Sequence, residues 1–217
     1  MQRLWKLAVM LMLVWMPTAW ATTANELATL VQNNSEQLIT RFKAEKNVYY
    51  EDPERFYRLM EESLEEVVDF RRIAARVMGR HARQSTPEQR DKFLTAFKRS
   101  LFNAYSKALV ETQDVKVSVL NASINPRDDG RANVDLEVVA SNGNKVPIAY
   151  SMYRNKDDGK WYIENVIVSG INIGLVFRDR FDQEMSARKG NLDQVIANWS
   201  SKIAEEELQT ESTPEKG

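Results

Sequence analysis

From about Thr112 onward the apolar residues of this 217-residue chain change their spacing, and that change limits the possible folds more than any other feature. Val115, Val117 and Val119 alternate with Lys116 and Ser118, and Val134, Leu136 and Val138 alternate with Asn133, Asp135 and Glu137, so each run reads as a half-buried strand. Val146, Ile148, Tyr150 and Met152 supply a third strand, and Trp161 to Val168 a fourth. The connections are turn chemistry: Asn125-Pro126-Arg127-Asp128-Asp129-Gly130, Ser141-Asn142-Gly143-Asn144 with its Asn-Gly pair, and Asp157-Asp158-Gly159. Four sequential strands joined by short hairpins predict an antiparallel meander. Helical patterns on both flanks make the domain α+β.

Upstream, the spacing is helical. Leu27, Leu30, Val31, Leu38, Ile39 and Phe42 form one amphipathic helix from Glu26 to about Lys46, with Asn33 to Ser35 as its weak point. Asp52-Pro53 is a cap followed by a proline that needs no donor, and Tyr57, Met60, Leu64 and Val67 then make an apolar stripe. Asp69 starts a short helix with Phe70, Ile73 and Val77 inward, which Gly79 ends. Thr86-Pro87-Glu88-Gln89 is a capping box for a long helix. Its face carries Phe93, Phe97, Leu101, Ala104, Tyr105 and Ala108, widened by Leu94, Phe102 and Leu109. A face that wide has to be covered on two sides.

The strand from Trp161 runs into a glycine break at Gly170 and then into Ile171, Ile173, Leu175, Val176, Phe177 and Phe181, with Arg178, Asp179 and Arg180 among them. This is either a core strand packed on an amphipathic helix from about Asn172 to Met185 or the charged rim of an apolar pocket. After a break near Gly190 a last helix, Leu192 to about Glu205, carries Val195, Ile196, Trp199 and Ile203.

Residues Met1 to Ala21 read as a signal peptide: Arg3 and Lys6, an apolar run from Leu7 to Met16, and Ala19-Trp20-Ala21 as a cleavage site. The run is too short for a comfortable membrane span. Export with no cysteine in the chain suits a bacterial periplasm, where the core and not disulfides supplies the stability. Residues 22–205 are expected to form one domain, since a chain of this size buries ~70% of its unfolded surface. Residues 206–217 form an acidic tail expected to be disordered. Thirty basic side chains nearly balance 31 acidic ones, which argues against nucleic-acid binding.

Catalytic chemistry is sparse. His81 is the single histidine, so no histidine-based metal site or serine-histidine pair stands out. Asp135, Glu137 and Glu164 fall on the polar faces of alternating strands. No glycine-rich phosphate loop or nucleophile elbow is present. The residues alone leave three readings: a carrier of an apolar ligand, an isomerase or hydrolase with a buried carboxylate base, and a periplasmic chaperone with an apolar groove.

The string Asp69-Phe70-Arg71-Arg72-Ile73-Ala74-Ala75-Arg76-Val77-Met78-Gly79-Arg80, followed by Thr86-Pro87-Glu88-Gln89-Arg90 and Phe93 to Phe97, resembles the MlaC family, the periplasmic phospholipid-binding proteins also called the toluene-tolerance family. Trp161-Tyr162-Ile163-Glu164-Asn165-Val166 to Gly170-Ile171 and the Arg178 to Phe181 segment are similar to the same family. Phe177 stands where the family usually has tyrosine, and a tryptophan common near Ala82 is missing.

The resemblance implies a helical layer on a strongly curved four-stranded antiparallel sheet, a nuclear-transport-factor-like cone enclosing an apolar pocket. It implies a monomeric, non-enzymatic carrier of glycerophospholipid that maintains outer-membrane lipid asymmetry and solvent tolerance, with no cofactor or metal. Its partners would be an outer-membrane lipoprotein-porin complex and an inner-membrane ABC transporter with a periplasmic lipid-binding subunit. Alternation and helix stripes nominate the lining: Phe93, Phe97 and Leu101 from the long helix, and Val117, Val134, Leu136, Ile148, Tyr150, Met152, Val166 and Val168 from the sheet. Ile171, Ile173 and Phe177 would close the mouth. Arg178 and Arg180 are candidates for head-group contact or docking.

Overall fold

The computed structural model describes residues 22–111, 115–140 and 142–199. The expected signal peptide, the expected acidic tail and the last residues of the helix expected to reach Glu205 lie outside the described residues. The first helix, α1 (Ala24–Ala44), opens with a capping box in which the Thr23 hydroxyl accepts from the Glu26 N–H and the Glu26 carboxylate accepts from the Thr23 N–H. It runs through Asn33 to Ser35 without a break. A short helix that the periodicity did not reveal, α2 (Lys46–Glu51), leads to α3 (Pro53–Glu65), whose first turn Asp52 caps through the Arg55 N–H at 3.0 Å. Asp69 does the same for α4 (Phe70–Met78), accepting from the Arg72 N–H at 2.9 Å. Gly79, at φ 56°, ends that helix in a conformation that only glycine adopts easily. A 3-10 turn over Gly79–Arg83 then reaches α5 (Pro87–Glu111). Thr86 and Gln89 form the expected reciprocal cap, at 3.1 and 3.2 Å.

The sheet is a meander of five strands in sequence order, not four: β1 (Lys116–Asn125), β2 (Asp128–Val139), β3 (Lys145–Arg154), β4 (Trp161–Val168) and β5 (Ile171–Asn172). The added strand is two residues long. Gly170, at φ 84°, folds it back so that Val168 faces Ile171 and Ile167 faces Asn172. The β1–β2 turn is also tighter than its composition suggested, because Asn125 pairs with Asp128 across Pro126 and Arg127 alone. After β5 comes α6 (Ile173–Ala187), capped by Asn172, and the chain is helical again over 192–199.

Register breaks shape the sheet. One falls between Val119 and Asn121 on β1 and another opposite Ser151 and Met152, where Glu164 is the extra residue on β4. At the first break the Gln32 carboxamide of α1 takes the place of a neighbouring strand, accepting from the Val119 N–H at 2.8 Å and donating to the Val117 carbonyl at 3.0 Å. This anchors α1 across the edge strand.

Three apolar clusters follow from this arrangement. Leu27 and Val31 of α1 cover Ala132, Val134, Leu136, Met152, Trp161 and Ile163 on the inner face of the sheet. Ala74, Val77 and Met78 of α4, Phe93 and Phe97 of α5, and Phe177, Phe181 and Met185 of α6 meet Val195, Ile196 and Trp199 in a helical core. Phe42, Phe56, Tyr57, Met60, Phe102 and Val110 join α1, α3 and α5.

Candidate functional site

Where the three clusters adjoin, the helices do not close on the sheet. A cavity of about 410 Å³ remains between α3, α4, α5, β4 and α6. Tyr57, Met60 and Leu64 of α3 form one side, on the three- and four-residue stripe of that helix. Val68, Phe70 and Ile73 continue the wall into α4. Phe97, Leu101, Phe102 and Tyr105 of α5 lie opposite, Val166 and Val168 of β4 close the sheet side, and Ile173, Gly174 and Phe177 of α6 close the last. The lining is aliphatic and aromatic over nearly its whole surface, the composition expected where an apolar ligand is held.

Charge touches this wall at one place. Lys98 of α5 pairs with Glu61, and with Glu65 at 2.8 Å, both on α3. Burial works against the Lys98 charge, but the two carboxylates outweigh it and hold its pKa above the ordinary lysine value. Burial also raises the Tyr57 phenol, with the Glu61 carboxylate adding to the effect. The Arg99 guanidinium lies 3.8 Å from the Tyr57 ring centroid and pairs with Glu54 through two bonds of 2.9 and 2.7 Å. Charge therefore ties α3 to α5 beside the cavity, leaving its interior apolar.

The residues nominated from sequence divide. Phe97, Leu101, Val166, Val168, Ile173 and Phe177 border the cavity. Phe93 does not: it is fully buried in the helical core, edge-on to Phe181 and Trp199 with centroids 4.9 and 5.2 Å away. Val117, Val134, Leu136, Ile148, Tyr150 and Met152 belong to the sheet cluster covered by α1. They share the inner face as alternation requires, packed in one cluster with Leu27 and Val31 of α1. Ile171 is exposed on β5. Arg178 lines a second groove on the far side of α6, while Arg180, two residues on, lies against the Trp199 ring at 5.8 Å. Met60, Leu64, Phe70 and Ile73 were not nominated, although the α3 stripe was visible as a pattern; its regularity reads equally as core packing.

Glu164 qualifies another expectation. It shares the polar face with Arg131, as alternation places it, yet it is only 7% exposed, because guanidiniums from α4 cover it there. Arg72 at 2.7 Å, Arg76 at 3.0 Å and Arg131 at 2.5 Å all reach its carboxylate. A carboxylate held by three guanidiniums is a paired anion and not a free base. Beside it the Tyr153 hydroxyl donates to Asp69, and the Arg72 guanidinium covers the Tyr153 ring at 4.1 Å. His81 packs against Phe181 at 5.9 Å and stands 3.5 Å from Asp182. Among the described residues no group of three or more His, Cys, Asp or Glu is placed to hold a metal ion, and no helix is long and apolar enough to cross a membrane.

Comparison with known proteins adds to this geometry. The family model described as "MlaC protein" matches residues 32–201. The toluene tolerance protein ttg2D of Pseudomonas putida is 36% identical over 189 residues, 86% of each chain. The intermembrane phospholipid transport system binding protein MlaC of Haemophilus influenzae is 20% identical over 162 residues, 72% of this chain and 75% of that one. The solved structure of the phospholipid-binding protein from Ralstonia solanacearum in complex with a phospholipid matches the fold with a TM-score of 0.72 at 22% identity. It covers 82% of this chain and 98% of that chain. By the family match and by its likeness to the Pseudomonas protein, the chain belongs to the MlaC family.

Proposed function

We propose that the cavity takes the acyl chains of a glycerophospholipid and that the protein works as a periplasmic carrier. The observation that supports this best is the 410 Å³ apolar cavity in a chain of the MlaC family, two of whose relatives are described as a phospholipid transport binding protein and a phospholipid-binding protein. The physics favours a carrier, since each methylene brought into water costs ~0.8 kcal/mol and two long chains do not cross an aqueous space unaided. Tails inside with a head group at the mouth leave the phosphate hydrated, which avoids the cost of burying it. Arg178, beyond the mouth, is the proposed head-group contact. The helices and sheet act together as a cone around the tails, and the carrier exchanges lipid between an outer-membrane lipoprotein-porin complex and an inner-membrane ABC transporter. No bond is made or broken in this role.

The test is organic extraction of purified protein followed by lipid mass spectrometry. Phospholipid near one molecule per chain is expected. Extracts free of phosphate and fatty acid would remove the carrier reading, and lipid well below stoichiometric level would favour a chaperone-like groove instead.

A further inference from the structure

On the other side of the α6 start from the cavity lies a groove of about 840 Å³ lined by Arg72, Arg76, Arg80, Arg83 and Arg178. Groove and cavity share Ile73, Asn165 and Gly174, so only one helical turn separates them. Arg72 and Arg76 are engaged by Glu164. Among the described residues no carboxylate pairs with Arg80, Arg83 or Arg178, and all three are exposed. Unbalanced positive charge therefore collects at one rim of the cavity, in a chain whose overall charge is close to zero.

The same rim carries exposed apolar side chains. Ile171, Leu175 and Val176 are 57, 52 and 51% exposed, within six residues of one another and interleaved with the cavity residues Ile173, Gly174 and Phe177. Aliphatic side chains held in water beside a cluster of cations match the chemistry of a lipid interface. The cations meet phosphates in the head-group plane, and the aliphatic groups enter the acyl boundary just below it.

We propose that this rim docks the protein directly on the surface of an anionic phospholipid bilayer, with Arg80, Arg83 and Arg178 against the phosphates and Leu175 and Val176 at the acyl boundary. The proposal rests on the carrier reading and extends it. Docked in this way, the cavity opens next to the bilayer, and an acyl chain moves from membrane to cavity along the Ile173 to Phe177 turn without crossing bulk water. The charge complementarity favours a bilayer of anionic lipid, and the exposed aliphatic residues favour a bilayer over an acidic protein face, which offers cations no apolar layer beneath.

The experiment is co-sedimentation of the exported chain with vesicles of phosphatidylcholine alone and of phosphatidylcholine mixed with phosphatidylglycerol, at low and high salt. Arg80→Glu/Arg83→Glu and Leu175→Ser/Val176→Ser are compared with the parent, because all four positions are exposed and outside the cavity lining. Binding is expected to be roughly tenfold or more tighter on the anionic vesicles, to weaken with salt, and to fall by about tenfold or more in the arginine variant. The serine variant is expected to bind more weakly than the parent at high salt, where the apolar part dominates. Parent protein that fails to bind anionic vesicles at low salt would overturn the proposal and assign the groove to an acidic protein surface. Equal binding to neutral vesicles, or arginine variants that bind as the parent does, would overturn it as well. Phospholipid extracted from the same preparations keeps the two readings apart. Lipid present without vesicle binding removes the docking alone, whereas a parent protein without lipid removes the carrier reading whatever the vesicles show.

Discussion

A methyl group placed on Gly174 would lie 2.7 Å from the Asn165 side-chain oxygen, so any side chain at this position in the first turn of α6 would have to push the Asn165 carboxamide of β4 aside. Both residues line the cavity, so a side chain added at Gly174 would take up room at its sheet side. Gly174→Ala is expected to reduce co-purified phospholipid even though alanine favours a helix over glycine by about 1 kcal/mol. In an Asn165→Ala background the same change should restore the lipid, because the obstructing oxygen is gone. Equal losses in both backgrounds would show that the contact does not govern the cavity.

Phe93 and Phe177 separate packing from ligand contact. Both are buried in the same helical core, but only Phe177 also borders the cavity. Truncating either to alanine is expected to cost about 3–5 kcal/mol of lipid-free stability in denaturant unfolding. The milder leucine variants should keep the fold and differ in cargo, with lipid retention falling for Phe177→Leu and unchanged for Phe93→Leu. The opposite order would move the ligand contact from Phe177 to Phe93.

Trp199 donates its indole N–H to the Ser100 hydroxyl at 3.1 Å, both groups being buried. Ser100→Ala leaves that donor without a partner, and a buried unsatisfied group costs about 1–3 kcal/mol. Thermal or urea unfolding should register the loss, together with a change in tryptophan emission. A variant as stable as the parent would mean that water replaces the hydroxyl.

Stability at alkaline pH should depend on Tyr153. Burial first and the bond to Asp69 second push its phenol up from 10.0 to about 12. A group whose pKa is raised by folding adds stability that is fully present below its unfolded value, near pH 10, and is lost as the pH climbs through about 12. The parent is therefore expected to be more stable than Tyr153→Phe below pH 10, with the difference shrinking toward pH 12. Unfolding measured across that range checks the sign, and a gap that does not change with pH would refute the assignment.

What the sequence revealed was whatever is decided locally. Thr86 and Gln89 cap α5 because the partners are three residues apart, and Asn142-Gly143 turns the chain between β2 and β3 because the backbone there needs a positive φ. Alternation put Leu136 and Ile148 on one face, and the register pairs them directly. What lay in front of that face was not legible. Covering by α1 depends on Leu27, Val31 and the Gln32 carboxamide meeting β1 some 85 residues later in sequence. Glu164 escaped for a similar reason, since the Arg72 and Arg76 guanidiniums that bury it come from α4, some 88 residues earlier in sequence.

The cavity has a consequence for the life of the protein. On the carrier reading, cargo binds the folded chain and not the unfolded one, so occupancy at one hundred times the dissociation constant adds about 2.7 kcal/mol to stability. Without cargo, the side chains facing the cavity lack contact partners on one side. The protein is then hardest to digest when loaded and easiest just after delivery, and protease resistance in the cell envelope becomes a record of how much lipid is in transit.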